Sequence, residues 1–408
     1  MGAGFAGLTL ARALRRVTVD VTLLDRNNYH LFTPLLYQVG SALLDPGEIA
    51  QPVRRLVRPV RNCEFRMACV TAFDLDRLVV HTDRGEVPYD YLVVAAGSVN
   101  NYFGNRSVEE RSLGLKELPE ALALRNHVLQ AGERAAWAAS EQERARLLTF
   151  AVVGGGPTGV EYAGALSELV RSSLRKDYRP PLNVTCKVLL LEGSDRLLAT
   201  FDPRLSEAAL RSLQSKGVEV RLHARVEEVR PGEISLSDGT TLSVGTVIWT
   251  AGVRGSDVGA LLGVQRDRQG RVPVTETLQL EGRPHVFVIG DLAHRGDLPM
   301  LIPVAMQEAK HVARGIDDLV RGRAPQPFTY HDPGIMATIG RNSAVAQLHG
   351  LRFSGFIGWL MWLGFHFLQI VTLRARLVTL VNWAFEYFFY DRPVQISVRA
   401  EPPPEGAR

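Results

Sequence analysis

Residues 147–169 read LLTFAVVGGGPTGVEYAGALSEL, a strand, a glycine loop and a helix in succession. The apolar, partly β-branched run up to Val153 predicts a buried strand. Gly154, Gly156 and Gly159 follow as Gly-x-Gly-x-x-Gly, the loop that turns such a strand sharply into a helix. Without side chains, this loop lets a pyrophosphate approach the backbone at the helix N-terminus. Ala163 and Ala165 keep the helix close to its neighbours. The next apolar run, CKVLLLE at 186–192, predicts a strand ending at Glu192. A polar insert, RKDYRPPLN at 175–183, widens the usual spacing to that acid. A carboxylate there accepts from a ribose 2′-hydroxyl and repels a 2′-phosphate, so NADH is favoured over NADPH.

The chain opens with a second copy, MGAGFAGLTLARAL at 1–14, carrying Gly2, Gly4 and Gly7. A helix is predicted over Leu8–Arg15, then a strand VTVDVTLLD at 17–25 that ends at Asp25. The strand feeding such a loop is central and buried on both faces. About six to eight further apolar residues are therefore expected upstream, with Met1 an internal valine read as a start. Two such folds imply two nucleotides. YDYLVVAAGSVNNYF at 89–103 predicts a strand ending in the small turn Ala95, Ala96, Gly97, and VGTVIWTAGVRGSDV at 244–258 repeats the plan at Ala251 and Gly252. Small residues at a strand end let backbone pass close to a bound group. A third strand, RPHVFVIGDLAH at 283–294, runs into Gly290 and Asp291. Asp291 is placed to hydrogen-bond a polyol chain, to N-cap the following helix, or both.

The 408 residues allow two or three domains, and 46% hydrophobic content is ordinary for a globular chain. With 47 basic against 43 acidic residues, nucleic acid is excluded as a partner. Cys63, Cys69 and Cys186 form no CxxC pair, so no disulfide framework and no metal site is expected, and the three read as buried packing residues. The N-terminus lacks the basic-then-apolar plan of a secretory leader.

These landmarks, with AAG, TAG and GDLA in order, resemble the two-dinucleotide-binding flavoprotein superfamily that includes glutathione-reductase-like enzymes. A narrower likeness lies in DRNNYHLFTPLLYQVGSALLDPGEIAQPVRR at 25–55, GGGPTGVE at 154–161 and FTYHDPGIMATIGRNSAV at 328–345. Together with an aromatic C-terminal region, these closely resemble type II NADH dehydrogenase, the single-subunit, non-pumping NADH:quinone oxidoreductase of respiratory membranes. The resemblance implies that FAD takes hydride from NADH and passes two electrons to a membrane quinone, menaquinone or ubiquinone. It implies that Gly2, Gly4, Gly7 and Asp25 hold the FAD adenosine and pyrophosphate, with Ala96, Gly97 and Asp291 along the same cofactor. Gly154, Gly156, Gly159 and Glu192 would hold NADH. Glu161 would lie near flavin and nicotinamide, influencing proton movement or fixing the glycine-rich turn. Gln307 matches the first glutamine of the family's Ala-Gln-x-Ala-x-Gln quinone motif. The sequence departs from the pattern at His311, Ala313 and Pro333, in the region where the resemblance implies the quinone pocket. Disulfide reductases need two thiols near the flavin, and sulfide:quinone oxidoreductases need cysteines on the quinone side; neither set is present. A catalytically impaired paralogue or sensor, or an enzyme using a soluble acceptor or oxygen, stays open as an alternative.

FSGFIGWLMWLGFHFLQIVTL at 353–373 carries no formal charge and has the length of a spanning helix. Its glycines, His366 and Gln369 dilute it, and Trp359, Trp362, Trp383, Tyr387 and Tyr390 suit a headgroup region. Arg374, Arg376 and Arg392 are placed to meet anionic lipid. Two interfacial helices in one leaflet are therefore expected, on the cytoplasmic face of the inner membrane, and a homodimer is compatible with them. The expected fold class is α/β, two nested Rossmann-like domains plus a C-terminal membrane-associated helical region. The parts are an FAD domain at 1–116 and 280–325, a helical connector at 117–146, and an NADH domain at 147–279. A quinone and membrane region at 326–398 and a disordered tail at 399–408, including EPPPEGAR, complete the chain.

Overall fold

The computed structural model describes residues 1–174, 178, 186–389, 392 and 394–397. The insert RKDYRPPLN apart from Tyr178, Tyr390 and the tail EPPPEGAR lie outside the described residues. In chain order the elements that matter are α1 (Phe5–Ala13), β1 (Val21–Asp25), α2 (Leu36–Gly40), β2 (Leu92–Val94) and β3 (Thr149–Val153). They continue with α3 (Pro157–Glu168), β4 (Lys187–Leu191), β5 (Thr246–Trp249), β6 (Arg283–Val288), α4 (Ile302–Val320), α5 (Gly355–Gln369) and α6 (Leu373–Phe389).

The chain divides into two compact units. The first comprises Met1–Leu31, Ala50–Asn101 and Val253–Pro333. Here β1 pairs in parallel with Cys63–Met67, and β2 pairs in parallel with β6. Met1 and Gly2 join both pairs: Gly2 N donates to Leu24 O at 2.7 Å, and Ala95 N donates to Met1 O at 2.9 Å. Helix α1 buries Ala6 and Leu10 against Phe287 and against Ala305 and Ala309 of α4. Each such aliphatic burial contributes about 1.5–3 kcal/mol relative to exposure for the larger side chains. The helix begins at Phe5, not Leu8, because the glycine turn leads straight into it from Gly4. The strand begins at Val21, not Val17: in the segment before it, Asn62 Nδ2 donates to the carbonyls of Leu14 (3.0 Å) and Val19 (2.9 Å).

The second unit comprises the described residues of Phe32–Ile49, Tyr102–Gly252 and Gly334–Arg408. Residues 253–279, read from sequence with the NADH domain, cluster instead with the first unit. The second unit's core is a five-stranded parallel sheet, ordered Leu113–Gly114, β5, β3, β4, Val218–Arg221. All five residues of β3 are buried, which explains its apolar run Phe150–Val153 after Thr149. The expected connector is two helices, Leu118–Ala136 and Glu141–Leu147, the second capped by the Ser140 side chain. After the sheet, an antiparallel meander of Ile335–Thr338, Ala344–Leu348 and Leu351–Ser354 leads into α5 and α6.

At 15 and 17 residues these two helices are about 22 and 25 Å long, against about 30 Å for a bilayer core. Among the described residues no helix is long and apolar enough to cross a membrane. Their outer sides are nonetheless apolar: Ile357 and Leu368 on α5, and Leu373 and Phe388 on α6, are each more than 60% exposed. Two expectations for this region are overturned. Trp362 is buried against Tyr37 and Trp383, and Arg392 is buried where it donates to Ser41 O (2.8 Å). Neither side chain is available to a headgroup. The cysteines also differ from expectation, since Cys69 is exposed and the other two are half-buried.

Candidate active site

The glycine loops explain themselves atom by atom. Gly154 has φ of +110°, and a Cβ there would fall 2.6 Å from Ala251 Cα. At Gly159 a Cβ would sit 1.8 Å from Gly154 O. The same pair of constraints recurs in the first unit: a Cβ at Gly2 would meet Ala95 O at 2.2 Å, and one at Gly7 would meet Gly2 O at 1.7 Å. The outer glycines of each loop are therefore demanded by the fold. The middle ones are not. A Cβ on Gly4 or Gly156 would find no protein atom within 4 Å. Both are N-caps without a side-chain cap hydrogen bond. A glycine kept where the protein itself leaves room is what close approach of a pyrophosphate requires. The residues present thus fit a dinucleotide in each unit.

The acids at the strand ends close each loop. Asp25 accepts from Ala3 N (2.6 Å) and Asn27 N (2.7 Å). Glu192 accepts from Gly155 N through one oxygen, and from Ser194 N and Oγ (both 2.7 Å) through the other. Each carboxylate is held in place and keeps lone pairs for a ribose hydroxyl. In the first unit Ala96 and Gly97 follow β2, and Gly97 has φ of +67° with open space beside it. Asp291 accepts from Ser98 Oγ. It does not cap α4, which begins at Ile302 after Leu301 as N-cap.

Behind that turn lies a residue that the sequence pattern does not single out. Glu308 on α4 is buried and accepts from Gly290 N at 2.6 Å. Burial, reinforced by the charge of Asp291, pushes its carboxyl up to about 8. Gln307, one position earlier, faces elsewhere: its Nε2 donates to His331 O (2.8 Å) and its Oε1 accepts from His331 N (3.0 Å). Its amide therefore clamps the segment leading to Pro333. His311 is likewise committed, with Nε2 at 2.7 Å from Gln326 O and the ring edge-on to Phe328.

The second unit holds a cavity of about 440 Å³, walled by apolar side chains such as Trp359, Leu363, Phe367 and Leu380 of α5 and α6. Tyr37 and Gln38 of α2, Thr338 and Trp362 also line it. Glu161 lies nearby on α3, accepting from Thr338 N at 3.2 Å. Desolvation pushes the Glu161 carboxyl up to about 8, against the lowering effect of that N–H. At the polar end, Arg392 pairs with Glu168 (3.4 Å) and Glu386 (3.8 Å). Burial of such a cluster costs about as much as the pairing returns, so it adds little to stability. Glu48, also unmarked in the sequence, accepts from Asn382 Nδ2 of α6 at 2.6 Å, and burial pushes it up to about 7.

Of the sequence-predicted residues, the structure brings Gly2, Gly4, Gly7, Asp25, Ala96, Gly97 and Asp291 into one unit, with Gln307. Gly154, Gly156, Gly159, Glu161 and Glu192 share the other. Two glycine turns on parallel sheets, each closed by an acid at the next strand end, define a two-dinucleotide oxidoreductase. The family model described as pyridine nucleotide-disulphide oxidoreductase matches residues 1–309, and that described as NDH2 C-terminal domain matches residues 333–391. A type II NADH:quinone oxidoreductase, Ndh, of Mycobacterium tuberculosis is 40% identical, over 95% of this chain and 87% of its own. An internal alternative NAD(P)H-ubiquinone oxidoreductase A1, mitochondrial, of Arabidopsis thaliana is 30% identical over 95% and 83%. The solved structure of NDH2 from Plasmodium falciparum in complex with NADH superposes with a TM-score of 0.87 over 98% of both chains. At 19% identity that likeness speaks to the fold alone. The chain belongs to the type II NADH:quinone oxidoreductase family.

Proposed function

We propose that the protein oxidises NADH and reduces a membrane quinone through FAD, without moving protons across the bilayer. FAD, when bound, supplies the redox chemistry, accepting two electrons from NADH and releasing them to quinone. Gly2, Gly4, Gly7 and Asp25 would hold its adenosine and pyrophosphate, and Ala96, Gly97 and Asp291 would lie along the remainder. Gly154, Gly156, Gly159 and Glu192 would hold NADH, the carboxylate of Glu192 excluding a 2′-phosphate. Glu161 stays protonated near neutrality and so holds a proton beside the acceptor pocket. Gln307 acts by holding His331 and the segment after it.

The observation that carries the acceptor assignment is the pocket walled by α5 and α6. Its aromatic and aliphatic lining suits a quinone ring and the start of an isoprenoid tail. The same two helices present apolar outer faces, which we assign to lipid on the cytoplasmic side. A quinone is too apolar to leave the bilayer readily, so its reductase must offer a site at the surface. Filling the pocket tests this. Ala384 lines it from α6, and Ala384→Trp is expected to raise the quinone KM at least tenfold while ferricyanide is still reduced by NADH. An unchanged quinone KM would place the acceptor elsewhere.

A further inference from the structure

Three side chains from distant parts of the chain form a hydrogen-bonded file along the wall of the α5–α6 pocket. Trp383 Nε1 donates to Gln38 Oε1 at 2.8 Å. Gln38 Nε2 donates to the Tyr37 hydroxyl oxygen at 2.7 Å. The direction of this file is forced by donor chemistry. An indole N–H can only donate, so the Gln38 atom facing it must be the carbonyl oxygen. The amide N–H₂ is then left facing Tyr37, whose oxygen accepts it. That assignment frees the Tyr37 O–H to be given in another direction, and Tyr37, Gln38 and Trp383 all line the pocket.

The ring of Tyr37 is fixed by packing as well. Tyr37 and Gln38 are buried, and the tyrosine ring stands edge-on to Trp362 with centroids 6.3 Å apart. The charged groups that act on it are Glu161 and Glu168 of α3 and Arg392. Burial first, then the Glu161 charge, hold the phenol proton well above the ordinary tyrosine range. The hydroxyl therefore remains a proton-bearing donor across any working pH.

We propose that the Tyr37 hydroxyl donates a hydrogen bond to a carbonyl oxygen of the quinone ring, and that Trp383, acting through Gln38, is the positioning residue that keeps it aimed. The proposal rests on the assignment of this pocket to quinone. It also gives α6 a second role, since the helix with the apolar outer face fixes a donor in the wall of the pocket.

The test uses the full-length holoprotein and a benzoquinone carrying one isoprenoid unit, its binding read by quenching of the pocket tryptophans. Tyr37→Phe keeps the ring and removes the hydroxyl, both the donor toward the pocket and the acceptor of Gln38 Nε2. Loss of one neutral hydrogen bond is expected to weaken quinone binding about three- to tenfold, with KM rising in step. Stopped-flow reduction of the flavin by NADH should proceed at the wild-type rate. Gln38→Glu supplies the control that leaves the hydroxyl in place. A carboxylate only accepts, so it would draw the Tyr37 O–H to itself and reproduce the loss. Affinity should then recover as pH falls and the introduced carboxyl regains a donor proton; a merely structural role for Gln38 gives no such pH profile. Wild-type affinity in Tyr37→Phe, or in Gln38→Glu at high pH, would overturn the proposal. If Ala384→Trp binds this quinone normally too, the pocket assignment falls with it. If Ala384→Trp blocks binding while Tyr37→Phe does not, only the hydrogen bond falls.

Discussion

Substituting the glycines of the second loop one at a time separates what the fold needs from what the nucleotide needs. Gly156→Ala places a methyl where no protein atom lies within 4 Å, on backbone with φ −71° and ψ −179° that any residue adopts. Its cost to stability is that of a poorer N-cap, about 1 kcal/mol at most. Gly154→Ala is different in kind: the φ of +110° is strained for alanine, and the methyl would meet Ala251 Cα at 2.6 Å. Left-handed strain of about 1–2 kcal/mol and overpacking of about 1–3 kcal/mol add to roughly 2–5 kcal/mol. That corresponds to a fall in Tm of about 5–15 °C, against about 3 °C or less for Gly156→Ala. For NADH the order reverses among folded proteins. The methyl of Gly156→Ala would occupy the space proposed for the pyrophosphate at the N-terminus of α3. Losing one or two charge-assisted hydrogen bonds there weakens binding about 10- to 100-fold. Calorimetric melting and NADH titration of the two variants decide the matter. Wild-type NADH affinity in Gly156→Ala, or equal Tm losses in both variants, would contradict this division between the two glycines.

Four further outcomes are expected. Glu192→Ala should narrow the preference for NADH over NADPH, read as the ratio of kcat/KM values; an unchanged ratio would remove Glu192 from donor selection. Gln307→Ala breaks both hydrogen bonds to His331 and should lower quinone turnover while leaving flavin reduction by NADH at its normal rate, as stopped-flow traces of each half-reaction would show. Leu368→Lys with Phe388→Lys puts charges on side chains 66% and 71% exposed, and should weaken vesicle binding about tenfold or more in flotation assays. Glu308 is held neutral in the fold, with its carboxyl up at about 8 against an ordinary value of 4.5. As pH rises through that window the unfolded chain releases its proton first, so stability should fall by up to about 1.4 kcal/mol per pH unit. Glu308→Gln should flatten that slope in denaturant melts at a series of pH values.

Much of this arrangement was legible in the residues because local backbone geometry imposes it. A left-handed turn and a methyl-free approach at Gly154 and Gly159 admit one residue type, so the pattern announces itself, and the acids at Asp25 and Glu192 stand where strands end. Features that depend on three-dimensional company were not legible. The segment before β1 is held by Asn62, far along the chain, whose amide donates to the carbonyls of Leu14 and Val19. Arg392 reads as a lipid-facing base until Ser41 and Glu168 are seen around it. The Trp383–Gln38 contact joins residues 345 apart in sequence, and no spacing rule reaches that far. Glu308 sits among helical residues without any mark of burial, and only the turn at Gly290 shows what it holds.

The central claim is that one protein passes electrons from NADH through its flavin to a quinone. An anaerobic titration of the purified holoprotein, followed at the flavin absorbance near 450 nm, addresses it directly. One equivalent of NADH, about one reducing pair per bound flavin, should bleach the band, and one equivalent of quinone should restore it. A flavin that NADH does not bleach, or that quinone leaves reduced, would contradict the assignment.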